Sequence, residues 1–393
     1  MLKIVTVGEI ATSVYLYGIA LATSLIAAET LKRAGQSEVI GQVLVGILLG
    51  PYILGIIHPS EIFSFIAEIG AMTLLLIAGL ETDVRVVFRT GFSAMLLAFF
   101  GVVFTFLLVL PFVYIVSNNL VIALYLSVTL GATSISLTVR IFSEFGKLKS
   151  KEVQMIIVSA VFDDLFVIFL LIFVIDLALT GFFNVHRLVT LTALIGFFFL
   201  ITLALGFLFT KVLSIHLHKF KSRGALIIFV FSFGLLFGYF AYLVGFSPII
   251  GAYFAGLIMA ETEVKDVIIE EISPIAFVTV PIFLVNIGLK VNILVLGEAL
   301  LLGIILAFFA SLGKILSGYP VGFKEKFSRK VSTLLGAARV PRAEVVLVFA
   351  SIGLELNLLN DVWYSSLVVV MIITTFITPI ILKYLLRGDN GNA

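Results

Sequence analysis

Two adjacent aspartates, Asp163 and Asp164, lie inside the apolar run Val153–Ile175, where every residue from Leu165 to Ile175 is apolar and the next charge is Asp176. A carboxylate at the centre of a bilayer costs about 2.5–3.5 kcal/mol on insertion scales, so such residues mark ion pathways and proton relays. A carboxylate can hold a proton or a cation, and the two compete. Consecutive side chains on a helix diverge by about 100°. One aspartate can therefore face an ion while its neighbour faces a different partner. A structural hydrogen-bonding pair is the competing reading, and the expense of two intramembrane carboxylates argues against it.

Lys314, in the stretch GKILSGYP, is the candidate partner. A buried lysine keeps its amine either by pairing with a carboxylate or by giving up its proton. Paired with Asp163 when no cation is bound, and deprotonated when one arrives, Lys314 would couple proton release to cation uptake. Its competing role is to snorkel to headgroups, since it precedes the basic stretch Lys324–Lys330 by about three helical turns. Thr133 and Ser134 could offer hydroxyl and backbone oxygens to a dehydrated monovalent cation, or could serve close helix packing. Arg342 with Glu344, and Glu81 with Asp83 and Arg85, read as structural charge pairs. Of the four histidines in predicted loops, His58, His186, His216 and His218, the last two flank an inner basic stretch and could sense pH. Solvated loop residues are the simpler account of all four.

The chain that must position these groups has 393 residues, 61% hydrophobic and 12% charged. Soluble domains carry about 25% charged residues, so this is an all-α polytopic membrane protein, read as one integral unit over 1–393. It has no cysteine, which excludes disulfides, iron–sulfur clusters and thiolate metal sites. No cleavage-type site follows the first apolar core, so that run is expected to remain as a span. At about 20 apolar residues per span, thirteen are expected: Ile10–Leu31, Val39–Ile57, Ile62–Leu80, Gly91–Val116, Leu120–Val139, Val153–Ile175, Leu188–Leu213, Ala225–Val244, Ser247–Ala260, Ile268–Leu289, Leu294–Leu316, Val331–Ile352 and Val362–Leu385. With the N-terminus outside, nineteen of the 25 Lys and Arg fall on the inner side and three on the outer side. The positive-inside rule thus orients the chain N-out and C-in.

Three further spans are unlike lipid-facing helices, one of them Leu294–Leu316 with Lys314. Leu120–Val139 carries Thr129, Gly131, Thr133, Ser134, Ser136 and Thr138, and Val331–Ile352 carries Gly336, Arg339, Pro341, Arg342 and Glu344. Spans four to six match spans eleven to thirteen, seven apart, and an odd offset inverts the topology. Inverted repeats with interrupted helices in corresponding positions are a transporter pattern. The interruptions are expected at Gly131–Ser134 and Arg339–Pro341, where half-helix ends would present carbonyls to a cation and amides to a carboxylate.

Motifs across nearly the whole chain strengthen that reading. They include EVIGQVLVGILLGPYILG (Glu38–Gly55), LLLIAGLETDV (Leu74–Val84), GATSISLTVRIFSEFGKLKSKE (Gly131–Glu152), SAVFDDLFVI (Ser159–Ile168), GFSPIIGAYFAGLIMA (Gly245–Ala260), PIFLVNIGLKVN (Pro281–Asn292), SLGKILSGYPVG (Ser311–Gly322) and VPRAEVVLVFASIGLEL (Val340–Leu356). Together they resemble the monovalent cation:proton antiporter superfamily in its electrogenic, Asp-Asp branch of bacterial and archaeal sodium/proton antiporters, related to potassium efflux membrane domains. One departure is Ala343, where many relatives have Gly. The resemblance implies that Asp164 binds the cation and is essential, and that Asp163 pairs with Lys314. It implies that Thr133 and Ser134 line the ion site in an unwound segment, and that the two interrupted helices cross. Since electroneutral relatives carry Asn before the essential aspartate, Asp163 implies electrogenic exchange with two protons per sodium.

The implied protein is a secondary transporter and not an enzyme. It exchanges Na⁺ or Li⁺ for protons by alternating access, needs no cofactor, and has no nucleic-acid partner. The resemblance further implies a homodimer in the cell membrane. Its moving core helices would cover approximately 62–175 and 268–386, with dimerisation helices at approximately 10–57 and 188–260. Three rivals share parts of this pattern. A K⁺/H⁺ antiporter of the potassium efflux type uses the same scaffold, although Asp163 and a chain ending at Ala393 without a nucleotide-binding domain favour sodium. An intramembrane aspartyl protease needs two carboxylates converging from facing helices, which adjacent residues do not supply. A cation channel would be opposed by a lysine beside its pore.

Overall fold

The computed structural model describes residues 7–81, 92–134, 138–139, 141–142, 145, 147, 150–181, 189–190, 193, 197, 204, 223–243, 248–260, 262 and 265–387. The side chains of 7–11, 161, 223, 344 and 387 are outside this description. Among the described residues the fold is all-helical: α1 (Val7–Arg33), α2 (Glu38–Leu49), α3 (Glu61–Glu81), α4 (Phe92–Ser117), α5 (Leu120–Thr129), α6 (Lys151–Thr180), α7 (Arg223–Leu243), α8 (Pro248–Ala260), α9 (Lys265–Leu289), α10 (Leu296–Lys324), α11 (Arg329–Ala337), α12 (Glu344–Glu355) and α13 (Asp361–Arg387). Among the described residues eight helices are long and apolar enough to cross a membrane, and α2, α5, α8 and α12 are shorter apolar helices. The expected seventh span, Leu188–Leu213, lies almost entirely outside the described residues, as do His186, His216 and His218. The expected twelfth span is two helices, α11 and α12, joined by a break.

The chain forms two compact units. The first comprises Met1–Val84 and Gly196–Leu294, and within it α1–α3 pack with α7–α9. Backbones meet there through paired glycines. A Cβ on Gly256 would collide with the Leu76 carbonyl, and one on Gly79 with the Tyr253 carbonyl. Such small-residue contacts supply close van der Waals packing where apolar burial gives no drive between helices in lipid. The division by packing differs from the expected boundaries at two helices. α3 and α9, expected among the core helices, pack inside this first unit with α2 and α8.

The second unit comprises Arg85–Ile195 and Val295–Ala393. Here α4 packs on α5, α6 and α10, and α10 packs on α4, α11 and α13. That arrangement repeats the expected correspondence of spans four to six with eleven to thirteen. Caps set the helix limits. Asn119 accepts from the amides of Val121 and Ile122 to start α5, and Ser150 accepts from Val153 to start α6. Gly181, at φ +77°, ends α6 in the left-handed conformation that glycine adopts without strain. Apolar side chains that include Leu97, Phe142, Ile156, Leu335 and Leu382 form a buried cluster in this unit.

Candidate ion site at two helix breaks

Both expected interruptions are present, and they touch. α5 stops at Thr129, and residues 131–134 leave helical geometry before a short helical stretch at Thr138–Val139. α11 stops at Ala337, and residues 340–343 are outside helical geometry before α12 begins. Hydroxyl-bearing residues and a proline make these segments poor helix, and each gives the other the hydrogen bonds it lacks. The Ser134 amide donates to the Pro341 carbonyl at 2.9 Å, and the Thr138 hydroxyl donates to the Ala338 carbonyl at 2.7 Å. The two interrupted helices therefore cross at their breaks. On α13, Thr375 donates to the Arg342 carbonyl at 3.0 Å and Thr374 accepts from the Arg342 amide at 3.2 Å, which fixes the second break.

Arg342 closes the carbonyl end of α5. Its guanidinium donates to the Leu130 carbonyl from Nε at 3.2 Å and Nη2 at 3.0 Å, to the Ala310 carbonyl at 3.0 Å, and to the Val340 carbonyl. The helix C-terminus is the negative end of the dipole, and a fixed cation satisfies its unpaired carbonyls. The expected charge pair with Glu344 is not tested, because the Glu344 side chain is outside the description; the partners described for Arg342 are carbonyls.

Asp163 sits midway along α6 and is fully buried. Its Oδ2 accepts from the Thr133 hydroxyl at 2.8 Å, across from the first break. The Lys314 ammonium on α10 stands 2.9 Å from Oδ2. This contact is an ion pair whose direction does not meet that of a hydrogen bond. Lys314 is itself fully buried, which removes the headgroup-snorkelling reading. A second cation takes the same carboxylate: Arg339, from the other break, reaches Oδ1 at 2.6 Å and Oδ2 at 2.7 Å. Asp164 follows on α6, partly buried, and Ser134 is buried at the first break.

The structure thus brings Asp163, Thr133, Lys314 and the breaks together in one unit. The sequence reading left Arg339 out of the site. The available signal was that a second cation inside a span needs a buried anion, and the spans offer few. The described side chains place three cations, Lys314, Arg339 and Arg342, around two carboxylates.

Comparison with known proteins places this geometry. The family described as sodium/hydrogen exchanger, transmembrane, matches residues 19–388. The chain is 32% identical over 377 residues to a Na⁺/H⁺ antiporter of Enterococcus hirae, covering 95% of this chain and 97% of that one. It is 31% identical over 374 residues to the Na⁺/H⁺-K⁺ antiporter GerN of Bacillus cereus, covering 93% and 94%. Among solved structures it is similar to the sodium proton antiporter MjNhaP1 of Methanocaldococcus jannaschii, with a TM-score of 0.78 at 17% identity over 98% of this chain and 100% of that one. At that identity the likeness is one of fold.

Proposed function

The chain belongs to the sodium/hydrogen exchanger family, and from that premise we propose that this multi-pass membrane protein exchanges Na⁺ or Li⁺ for protons. The observation that carries the reading is the buried Asp163 carboxylate at the crossing of two helix breaks, with Lys314 in contact and Asp164 beside it. Asp164, with oxygens of Thr133 and Ser134, takes the cation. Protons on Asp164 and Lys314 exclude it. Asp163 and Lys314 titrate as a coupled pair, so the proton belongs to the pair rather than to either residue.

The charge tally supports an electrogenic cycle. With two protons aboard, on Asp164 and Lys314, the site carries one more positive charge than with one cation aboard and Lys314 neutral. Each cycle then moves one net charge. Only an occupied site crosses between the two sides, carried by the unit that holds it in an elevator-like movement. The protein works as a secondary transporter without a cofactor, as a homodimer in the cell membrane, with its N-terminus outside and its C-terminus in the cytoplasm.

Potassium is a second reading, because the name of the Bacillus cereus relative couples K⁺ with Na⁺/H⁺ exchange and the same oxygens bind both ions. A proteolytic dyad does not fit, since it needs two carboxylates sharing one proton and one water, and the Asp163 oxygens are held by Arg339, Thr133 and Lys314. The test is reconstitution into proteoliposomes with an internal pH dye, a pH gradient, and Na⁺, Li⁺ or K⁺ added in turn. Cation-triggered proton movement that disappears in Asp164→Asn supports the reading and names the ion. An equal response from wild type and Asp164→Asn rejects it.

A further inference from the structure

Arg339 takes no part in the exchange chemistry above, yet its fork holds both oxygens of the Asp163 carboxylate. A guanidinium has five N–H donors in a fixed plane, and here each has a partner. Nε faces Oδ2 of Asp163 at 3.2 Å, and Nη2 faces both carboxylate oxygens. Nη1 donates to the Leu97 carbonyl on α4 at 2.5 Å and to the Ser317 hydroxyl on α10 at 3.1 Å. The group is fully buried and ties α4, α6, α10 and the second break at one point.

A glycine makes the room for it. A Cβ on Gly101 of α4 would stand 2.5 Å from Nη2, 2.9 Å from Nη1 and 3.0 Å from Cζ of Arg339. Gly101 lies on a helix that carries none of the residues assigned to the ion. Lys314, by contrast, presents a point charge on a flexible stem. It can leave and return without fixing the direction of the carboxylate, whereas a planar fork does fix it.

We propose that Arg339 is the positioning residue of this exchanger: seated against Gly101, its fork aims the Asp163 carboxylate and, through the same turn of α6, holds Asp164 in register with the breaks. This rests on the antiporter reading. A positioning role shows in the sodium concentration for half-maximal exchange, which loss of folded protein alone would not move.

The experiment measures that concentration and the maximal rate in proteoliposomes for Gly101→Ala, Arg339→Lys and the double variant. Melting temperature and size-exclusion profile are recorded for each. Gly101→Ala and Arg339→Lys are each expected to raise the half-maximal sodium concentration on the order of tenfold, as small misplacements of a reacting geometry do. The double variant is expected to be no worse than the worse single one, because a narrower lysine leaves nothing for the added methyl group to displace and the two changes act through one group. Wild-type half-saturation in Gly101→Ala, or effects that multiply independently, would overturn the proposal. Should Gly101→Ala not fold, Arg339→Lys decides alone, and an unchanged half-saturation in it is the overturning result. Exchange that persists in Asp164→Asn in the same liposomes rejects the aspartate pair as the ion site, and absence of exchange in the wild type rejects the antiporter reading itself; both are separate outcomes.

Discussion

Lys314 and Arg339 meet the same carboxylate with different consequences for stability. Removing one member of a buried ion pair costs about 3–5 kcal/mol, because an unpaired charge is left behind. Loss of Lys314 leaves Asp163 with the two-pronged Arg339 contact and the Thr133 hydroxyl. Loss of Arg339 leaves it with the ammonium and that one hydroxyl. Arg339→Met is therefore expected to lie at the upper end of that range and Lys314→Met below it. Thermal unfolding of both variants in detergent checks the order, and a larger loss in Lys314→Met contradicts it. Thr133→Val keeps the side-chain shape and removes a hydrogen bond to a buried charge, a kind worth about 1.5–3 kcal/mol. It should weaken both the fold, by roughly that amount, and the response of the melting temperature to added Na⁺. A Thr133→Val protein with unchanged melting and sodium response would place the hydroxyl outside the site.

Helices that carry the site are also tied at their ends. Glu325, which caps α10, accepts from Lys151 at the start of α6 at 2.8 Å and from Ser93 at the start of α4, and Lys324 donates to Ser93 at 2.9 Å. The Lys151 bond, then the Ser93 bond, hold the Glu325 carboxyl below its ordinary range. A lowered folded-state value stabilises above the unfolded carboxylate value, about 4.3, and that stability disappears as pH falls through the folded value. Glu325→Gln should melt below wild type at pH 7 by a small margin, as suits a pair with an exposed lysine, and the margin should close below about pH 4. A margin that persists in acid would show that the tie is not ionic. At this scale the sequence was informative where local chemistry breaks a helix. The hydroxyl run around Thr133 and the proline at 341 marked both interruptions. It was silent where contact depends on distant backbone. Nothing in a largely apolar helix such as α3 says that Gly79 will face α8. The Arg339–Asp163 contact joins residues 176 apart in sequence, and periodicity carries no information on such pairs.

At the scale of the whole molecule, the proposed exchange of two protons for one cation predicts a response to membrane voltage. One net charge moved per cycle couples transport to the potential by about 2.3 kcal/mol per 100 mV. That energy corresponds to about a fiftyfold change in the sodium gradient sustained at balance. In proteoliposomes clamped with potassium and valinomycin, the sodium gradient at zero net flux should therefore shift by about that factor when 100 mV is imposed at constant pH difference. Asp163→Asn tests the source of the charge. It removes the anion that holds Lys314 in its protonated form, so any exchange it retains should lose the second proton and with it the voltage response. A wild-type balance point that ignores voltage would mean one proton per cation, with Lys314 keeping its proton throughout. A voltage response retained in Asp163→Asn would move the second proton to another residue. Both outcomes bear on one question, whether the coupled Asp163–Lys314 pair gives up its proton along with Asp164 in each cycle.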